Sequence, residues 1–246
     1  MEQQLATSFG RAAARYESGR TDWPPEAVDA VGLPPESVVL DLGAGTGKLT
    51  RVLATKFARV LAVEPLEEMR AVLESVVPDA ELLSGSAEQI PLPDRSVDGV
   101  FSADAFHWFD PGRTPAEIAR VVKPGGALAV FISRPGGRRT EPQIHGVHDL
   151  LERHRRPREH PMERVDSGEW FADVAAAPFG PVREVNVPFV QEVSRAQMLD
   201  YFASVSWIAL LPSAERDELL HDVAALLPDV TYRRHWVAHI YVWRRR

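Results

Sequence analysis

Between residues 37 and 133 the apolar residues fall in short, unbroken runs, separated by stretches in which they recur at helical spacing. Runs without polar residues at alternate positions predict strands buried on both faces. The runs at 37–42, 59–63, 81–83, 97–102 and 127–133 are the predicted strands, and 46–57, 66–77 and 115–122 the helices between them, the second ended by Pro78. With right-handed crossovers, this alternation predicts a doubly wound α/β sheet. After Ser133 the rhythm changes. Arg134-Pro135-Gly136-Gly137 marks a loop, and helices are predicted over 141–153, 168–177, 194–211 and 213–227, the last with Ser213 as N-cap. Strands are predicted over 182–190 and 235–242. The chain therefore divides into N-terminal lid helices (1–36), a core (37–133 and 178–246) and a helical cap inserted after strand five (134–177), the cap and substrate region belonging to the same domain.

Length and composition narrow the class. A chain of 246 residues, 45% hydrophobic, suits one domain with an ample core, and its apolar runs are too short to span a bilayer. The start, Met1-Glu2-Gln3-Gln4, lacks the basic-then-apolar layout of a secretory signal, and there is no cysteine for disulfides, thiolate catalysis or metal ligation. A cytoplasmic protein, without a membrane partner, is expected. A net charge of −7 argues against non-specific binding of nucleic acid. The positive charge is nevertheless clustered: Arg134, Arg138, Arg139, Arg153, Arg155, Arg156, Arg158 and Arg164 crowd one stretch, and Arg233, Arg234 and Arg244 to Arg246 crowd another.

Ligands of open α/β sheets sit at the carboxyl ends of the strands, where strand order reverses. There, after the first strand, stands Asp41-Leu42-Gly43-Ala44-Gly45-Thr46-Gly47. Its glycines permit a sharp turn and a close ligand approach. A dinucleotide fingerprint starting at Gly43 needs glycine where Lys48 stands, and a phosphate loop needs glycine at position 42 and Ser or Thr at position 49. The loop is thus suited to a nucleoside without a pyrophosphate. Glu64 ends the second strand, where a carboxylate accepts hydrogen bonds from ribose hydroxyls; a solvent-facing acid starting a helix is the other reading. Ala87 and Glu88, in Gly85-Ser86-Ala87-Glu88-Gln89-Ile90-Pro91-Leu92, offer an adenine edge a small contact and an acid, unless Ser86 caps an ordinary helix.

Taken in order, V-V-L-D-L-G-A-G-T-G-K-L-T (38–50), V-E-P (63–65), G-S-A-E-Q-I-P-L-P-D-R-S-V-D (85–98), A-F-H-W-F-D (105–110) and V-K-P-G-G (122–126) resemble class I S-adenosylmethionine-dependent methyltransferases. The segment F-G-R-A-A-A-R-Y-E-S-G-R (9–20) is similar to the N-terminal lid of their small-molecule branch, which includes the quinone-biosynthesis and trans-aconitate enzymes. The resemblance implies a Rossmann-like seven-stranded sheet, mostly parallel, with an antiparallel last strand. It implies S-adenosylmethionine as cofactor, with Asp41, Leu42, Gly43, Ala44, Gly45, Thr46 and Gly47 along its methionine and ribose side and Glu64 on the ribose. Pro65 and Met69 would pack near adenine, with Ser86, Ala87 and Glu88 at its edge. Asp104 and Ala105 follow the fourth strand, where the branch often carries Gln or another polar residue in place of Asp104. Tyr16 and Arg20 would cover the cofactor from the lid.

Methyl transfer from a sulfonium needs chiefly a near-attack pose and exclusion of water. Phe106, Trp108 and Phe109 offer aromatic faces to a cation, or else pack a helix on the sheet. His107 is the candidate acid or base, or a packed residue. A carboxylate acceptor needs no base. The cap's arginines and His145, His148, His154 and His160 suit a cationic lid over an acidic substrate, or a solvated helix end; the histidines lack metal spacing, and no metal is expected. The expected activity is methyl transfer by in-line displacement to a small-molecule acceptor, at carboxylate or hydroxyl oxygen, by a monomer or homodimer. An RNA methyltransferase and a non-catalytic cofactor-binding protein are the alternatives.

Overall fold

Seven strands form one sheet in the computed structural model, which describes residues 13–136, 144–154 and 166–246. In chain order the elements are α1 (Ala13–Gly19), α2 (Pro25–Asp29), β1 (Val38–Leu42), α3 (Thr50–Lys56), β2 (Arg59–Val63), α4 (Glu67–Val76), β3 (Glu81–Leu83) and β4 (Val97–Ala103). A 3₁₀ turn (Phe106–Trp108) leads to α5 (Thr114–Val121), β5 (Val122–Pro135), α6 (His145–His154), α7 (Trp170–Ala175) and β6 (Arg183–Val193). The chain ends with α8 (Arg195–Ala203), α9 (Ser206–Ala209), α10 (Ser213–Leu226) and β7 (Tyr232–Arg244).

Strand order is β3-β2-β1-β4-β5-β7-β6. β1 pairs in parallel with β2 on one side (Val39 opposite Val60) and with β4 on the other (Leu40 opposite Val100). β7 runs antiparallel: Gly125 N–H donates to Arg245 O and Arg245 N–H to Gly126 O, both at 2.9 Å. The sheet is therefore the mostly parallel one expected, with its last strands antiparallel. The chain leaves β1 toward β2 and β3, then returns to lay β4 on the opposite side. That reversal puts the carboxyl ends of β1 and β4 together.

By contact the chain divides into two compact units: Met1–Thr21, Arg134–Arg158 and Pro188–Val237 in one, and Asp22–Ser133, Glu159–Val187 and Ala238–Arg246 in the other. β5, β6 and β7 contribute residues to both. The second unit holds the core of the parallel strands, with Leu40, Leu42, Leu61, Val63, Val100, Ile118, Leu128 and Val130 nearly inaccessible. The first has its own core around Val147, Met198, Phe202, Ile208, Val223 and Tyr232. Arg138, Arg139, Arg155, Arg156, Arg158, Arg164 and His160, to which the sequence assigned a cationic lid, lie outside the described residues.

Three local expectations are corrected. The helix expected from residue 46 starts at Thr50, because Gly47 has φ +92° and cannot join a right-handed turn. The helix expected over 194–211 breaks into α8 and α9. Val205 is extended (φ −67°, ψ 125°), and the Ser204 hydroxyl donates to Tyr201 O at 2.8 Å, closing the last turn of α8. Ser213 is the first residue of α10, not its cap; Pro212 holds that place, with no side-chain cap.

Candidate cofactor and active site

The glycine loop starts where β1 stops. Gly43 N–H (2.9 Å) and Ala44 N–H (3.2 Å) donate to Val63 O, and Gly47 N–H donates to Ala44 O at 2.9 Å, so the loop is tied to the end of β2. Gly43 has φ +73° and is hemmed in: a Cβ there would lie 2.8 Å from the Ala105 Cβ. Gly45 has φ +57°, yet a Cβ there would meet nothing within 4 Å. The left-handed backbone at Gly45 thus faces open space, the cradle a ligand needs. Leu42 is fully buried in the core, which leaves it only main-chain groups to offer. Ala44 packs beside Ala62 and Leu73.

Two acids flank the loop. Glu64 is buried, accepting from Gly45 N–H on Oε2 (2.9 Å) and from Leu66 N–H on Oε1 (3.0 Å), while Arg70 donates to the carbonyls of Glu64 and Pro65 at 2.7 Å. Burial pushes its carboxyl up, against those backbone N–H bonds and the Arg70 charge. Each oxygen retains a lone pair, the acceptor pattern that suits two ribose hydroxyls. Asp41 is 1% exposed; Thr50 Oγ1 donates to its Oδ2 at 2.7 Å, and its Oδ1 is buried without a hydrogen-bond partner. Thr46 Oγ1 is likewise buried and unsatisfied. Buried polar atoms are normally paired. Open space at Gly45, two orphan oxygens and a buried acid at the end of β2 fit the aminoacyl and ribose parts of S-adenosylmethionine.

Burial, with the Glu64 charge adding to it and the Thr50 bond opposing it, pushes the Asp41 carboxyl up to about 7. Between pH about 4 and about 7 the folded chain keeps a proton that the unfolded chain has lost, so this group lowers stability as pH rises through that window and has no further effect above it. The fall is at most about 4 kcal/mol. Asp41→Asn is expected to flatten it, as urea unfolding at about pH 5 and about pH 8 measures. An unchanged slope in the variant would exclude Asp41 as its source.

The remaining expected residues are placed as follows. Pro65 is exposed and Met69 is buried in α4. No helix forms over residues 85–92; Ser86 hydrogen-bonds Glu88 rather than capping one, and Ala87 is 4% exposed. Glu88 Oε1 accepts from Asp110 N–H at 3.0 Å. Burial alone would raise its carboxyl, but the Asp110 and Ser86 bonds hold it below the usual range. Asp104, at the end of β4, has φ +48°, a left-handed backbone that a non-glycine residue rarely adopts. Its carboxylate accepts from Ser133 N–H on Oδ1 (2.9 Å) and from Ser133 Oγ on Oδ2 (2.5 Å), clamping the ends of β4 and β5 together. Ala105 abuts Gly43.

His107 sits in the 3₁₀ turn, half-buried, its ring 4.9 Å from that of Trp108. Of the three neighbouring aromatics, Phe106 and Phe109 pack into the core, 5.6 Å apart. Tyr16 and Arg20 belong to the other unit. There Arg20 donates to Ser204 Oγ and Ser204 O, both at 2.9 Å, with its guanidinium 5.2 Å from the Tyr16 ring and 5.3 Å from that of Tyr201. Their covering of the cofactor stands as an expectation. Among the described residues no cluster of His, Asp and Glu is placed to hold a metal ion, and no helix is long and apolar enough to cross a membrane.

Sequence reasoning missed Thr50, Ser133 and Trp170. Thr50 and Ser133 carry a weak signal, a hydroxyl at a helix start and at a strand end. Trp170 carries none: its ring stacks on Phe171 at 4.5 Å and meets Phe106, Tyr241 and Trp243 at 5.1–5.4 Å, partners up to 73 positions away.

Residues 40–130 match the family model for a methyltransferase domain. An uncharacterized methyltransferase of Mycobacterium tuberculosis is 37% identical over 225 residues, spanning 92% of this chain and 87% of that protein. A malonyl-[acyl-carrier protein] O-methyltransferase of Methylococcus capsulatus is 39% identical over 137 residues, spanning 51% of this chain and 50% of that protein. Among solved structures, a candidate type II methyltransferase from Anaeromyxobacter dehalogenans superposes with a TM-score of 0.68 at 27% identity, covering 92% of this chain and 97% of that one. The chain therefore belongs to the class I S-adenosylmethionine-dependent methyltransferases, in their small-molecule branch.

Proposed function

We propose that the chain methylates an oxygen of a small-molecule acceptor, a carboxylate before a hydroxyl. The carrying observation is how the acids beyond the glycine loop are engaged. Both Asp104 oxygens accept from Ser133, and Glu88 Oε1 accepts from Asp110 N–H. Each carboxylate is held as an acceptor that fixes backbone, which leaves His107 as the base candidate beside them. A carboxylate acceptor is already a nucleophile at neutral pH and asks only for orientation. The relative named for O-methylation of malonyl-[acyl-carrier protein] supports an oxygen acceptor over the part of the chain it matches.

The glycine loop and Glu64 would hold S-adenosylmethionine, which would supply an activated methyl group on a cationic sulfur that leaves as a neutral thioether. The protein's own share is positional. Glu64 and Gly45 fix the nucleoside, Asp41 and Thr46 offer acceptors to the aminoacyl end, and the Asp104–Ser133 clamp holds the rim where the acceptor must lie.

Radiolabelled methyl transfer into a panel of small carboxylic acids and phenols tests this. Methyl esters release volatile methanol in alkali, whereas aryl ethers, N-methyl and C-methyl products do not. Base-labile label is expected; label that is wholly base-stable would reject the carboxylate. With a carboxylate acceptor, His107→Gln should leave the shape of the pH–rate profile unchanged. A hydroxyl acceptor deprotonated by His107 would instead cost about 10²–10⁴ in rate and the profile's acidic limb.

A further inference from the structure

A narrow crevice lies at the carboxyl ends of β4 and β5, lined by Asp104, Ala105, Phe106, His107, Ile132 and Trp170 among others. Trp170, the first residue of α7, is 4% exposed, and its indole Nε1 is buried without a hydrogen-bond acceptor. An indole nitrogen can only donate, and when buried it normally finds a partner. Leaving it unpaired costs about 1–3 kcal/mol. The ring is not free to turn toward one. Phe171 stacks on it, Tyr241 and Trp243 meet it edge-on, and Phe106 lies tilted against it. Packing in such a nest would be served as well by phenylalanine, so the N–H adds nothing to it.

The crevice walls are chiefly apolar, and the acid at its rim is engaged: both oxygens of Asp104 accept from Ser133. We infer that Trp170 recognises the acceptor, a largely apolar molecule bearing a carbonyl or carboxylate oxygen that takes the Nε1 hydrogen bond. Its apolar body lies against Phe106 and Ile132. A carboxylate would give one oxygen to Trp170 and keep the second as nucleophile. The crevice has no water-sized space as it stands, so an acceptor must displace part of its lining on entry. This assignment rests on reading the chain as a small-molecule methyltransferase.

Acetophenone and α-methylstyrene test it, a pair alike in shape but differing in C=O against C=CH₂. The chain's six tryptophans give six indole cross-peaks in a ¹⁵N-labelled sample, and the loss of one in Trp170→Phe identifies Trp170. Acetophenone is expected to move that peak downfield and to bind roughly 3- to 10-fold more tightly than α-methylstyrene. The variant should bind both alike. Equal affinities in the wild-type protein, or a Trp170 peak that acetophenone leaves in place, would overturn the inference. The wild-type titration decides this even if the variant fails to fold. S-adenosylmethionine titrated into the same sample separates the two readings. If it fails to bind, the methyltransferase reading falls whatever the probes do; if it binds while the Trp170 peak stays fixed, only the role of Trp170 falls.

Discussion

Glu64→Ala should weaken S-adenosylmethionine binding by roughly 100-fold or more, while leaving a folded protein. Hydrogen bonds to a charged group contribute about 1.5–3 kcal/mol each, and a ribose would lose two of them. The fold loses less. Gly45 N–H and Leu66 N–H lose their acceptor, but a buried carboxylate that its surroundings push toward protonation is removed with it. Those two effects oppose each other, so the melting temperature should move little. Glu64→Gln separates charge from shape. Its amide keeps one acceptor oxygen but sets an NH₂ against either the Gly45 or the Leu66 N–H, so affinity should remain poor. Calorimetric titration reads both variants; wild-type affinity in Glu64→Ala would refute the ribose assignment.

At Gly45, alanine should spare the fold and still damage the site. The residue sits at φ +57°, where an L side chain costs about 1–2 kcal/mol, a fall in melting temperature of roughly 2–8 °C. No protein atom lies within 4 Å of the added Cβ, so nothing else resists it. If the loop holds S-adenosylmethionine as proposed, the added methyl group would press on the cofactor at a cost of about 1–3 kcal/mol, or roughly 5- to 160-fold in affinity. Gly43→Ala is the control. Its Cβ would press within 2.8 Å of Ala105 in addition to the left-handed strain at φ +73°, so stability should fall further there. Equal behaviour of the two variants, in melting and in binding, would mean that the space at Gly45 is not the cofactor's.

The features legible in the sequence were those written locally. β2 has the bounds its apolar run predicts, because a parallel strand buried on both faces tolerates no polar interruption, and β3, the half-exposed edge strand, keeps its predicted bounds too. The glycine loop was legible for the same reason: a left-handed backbone at three nearby positions calls for glycine. Helix ends were less legible, since Gly47 delays α3 by a dihedral angle rather than by a change in pattern, and Ser204 ends α8 through its hydroxyl. Least legible was the pairing of distant side chains. Asp104 reads as a polar residue after a strand, yet its partner Ser133 is 29 positions on. Trp170 reads as one more core aromatic until its unpaired N–H and its place beside His107 are seen.

The account stands on S-adenosylmethionine occupying the loop between Asp41 and Glu64, and calorimetric titration of the purified chain tests that most directly. One saturable site for S-adenosylmethionine is predicted, with S-adenosylhomocysteine competing for it and NAD giving no binding. No binding of S-adenosylmethionine at millimolar concentration, or equal binding of NAD, would contradict it.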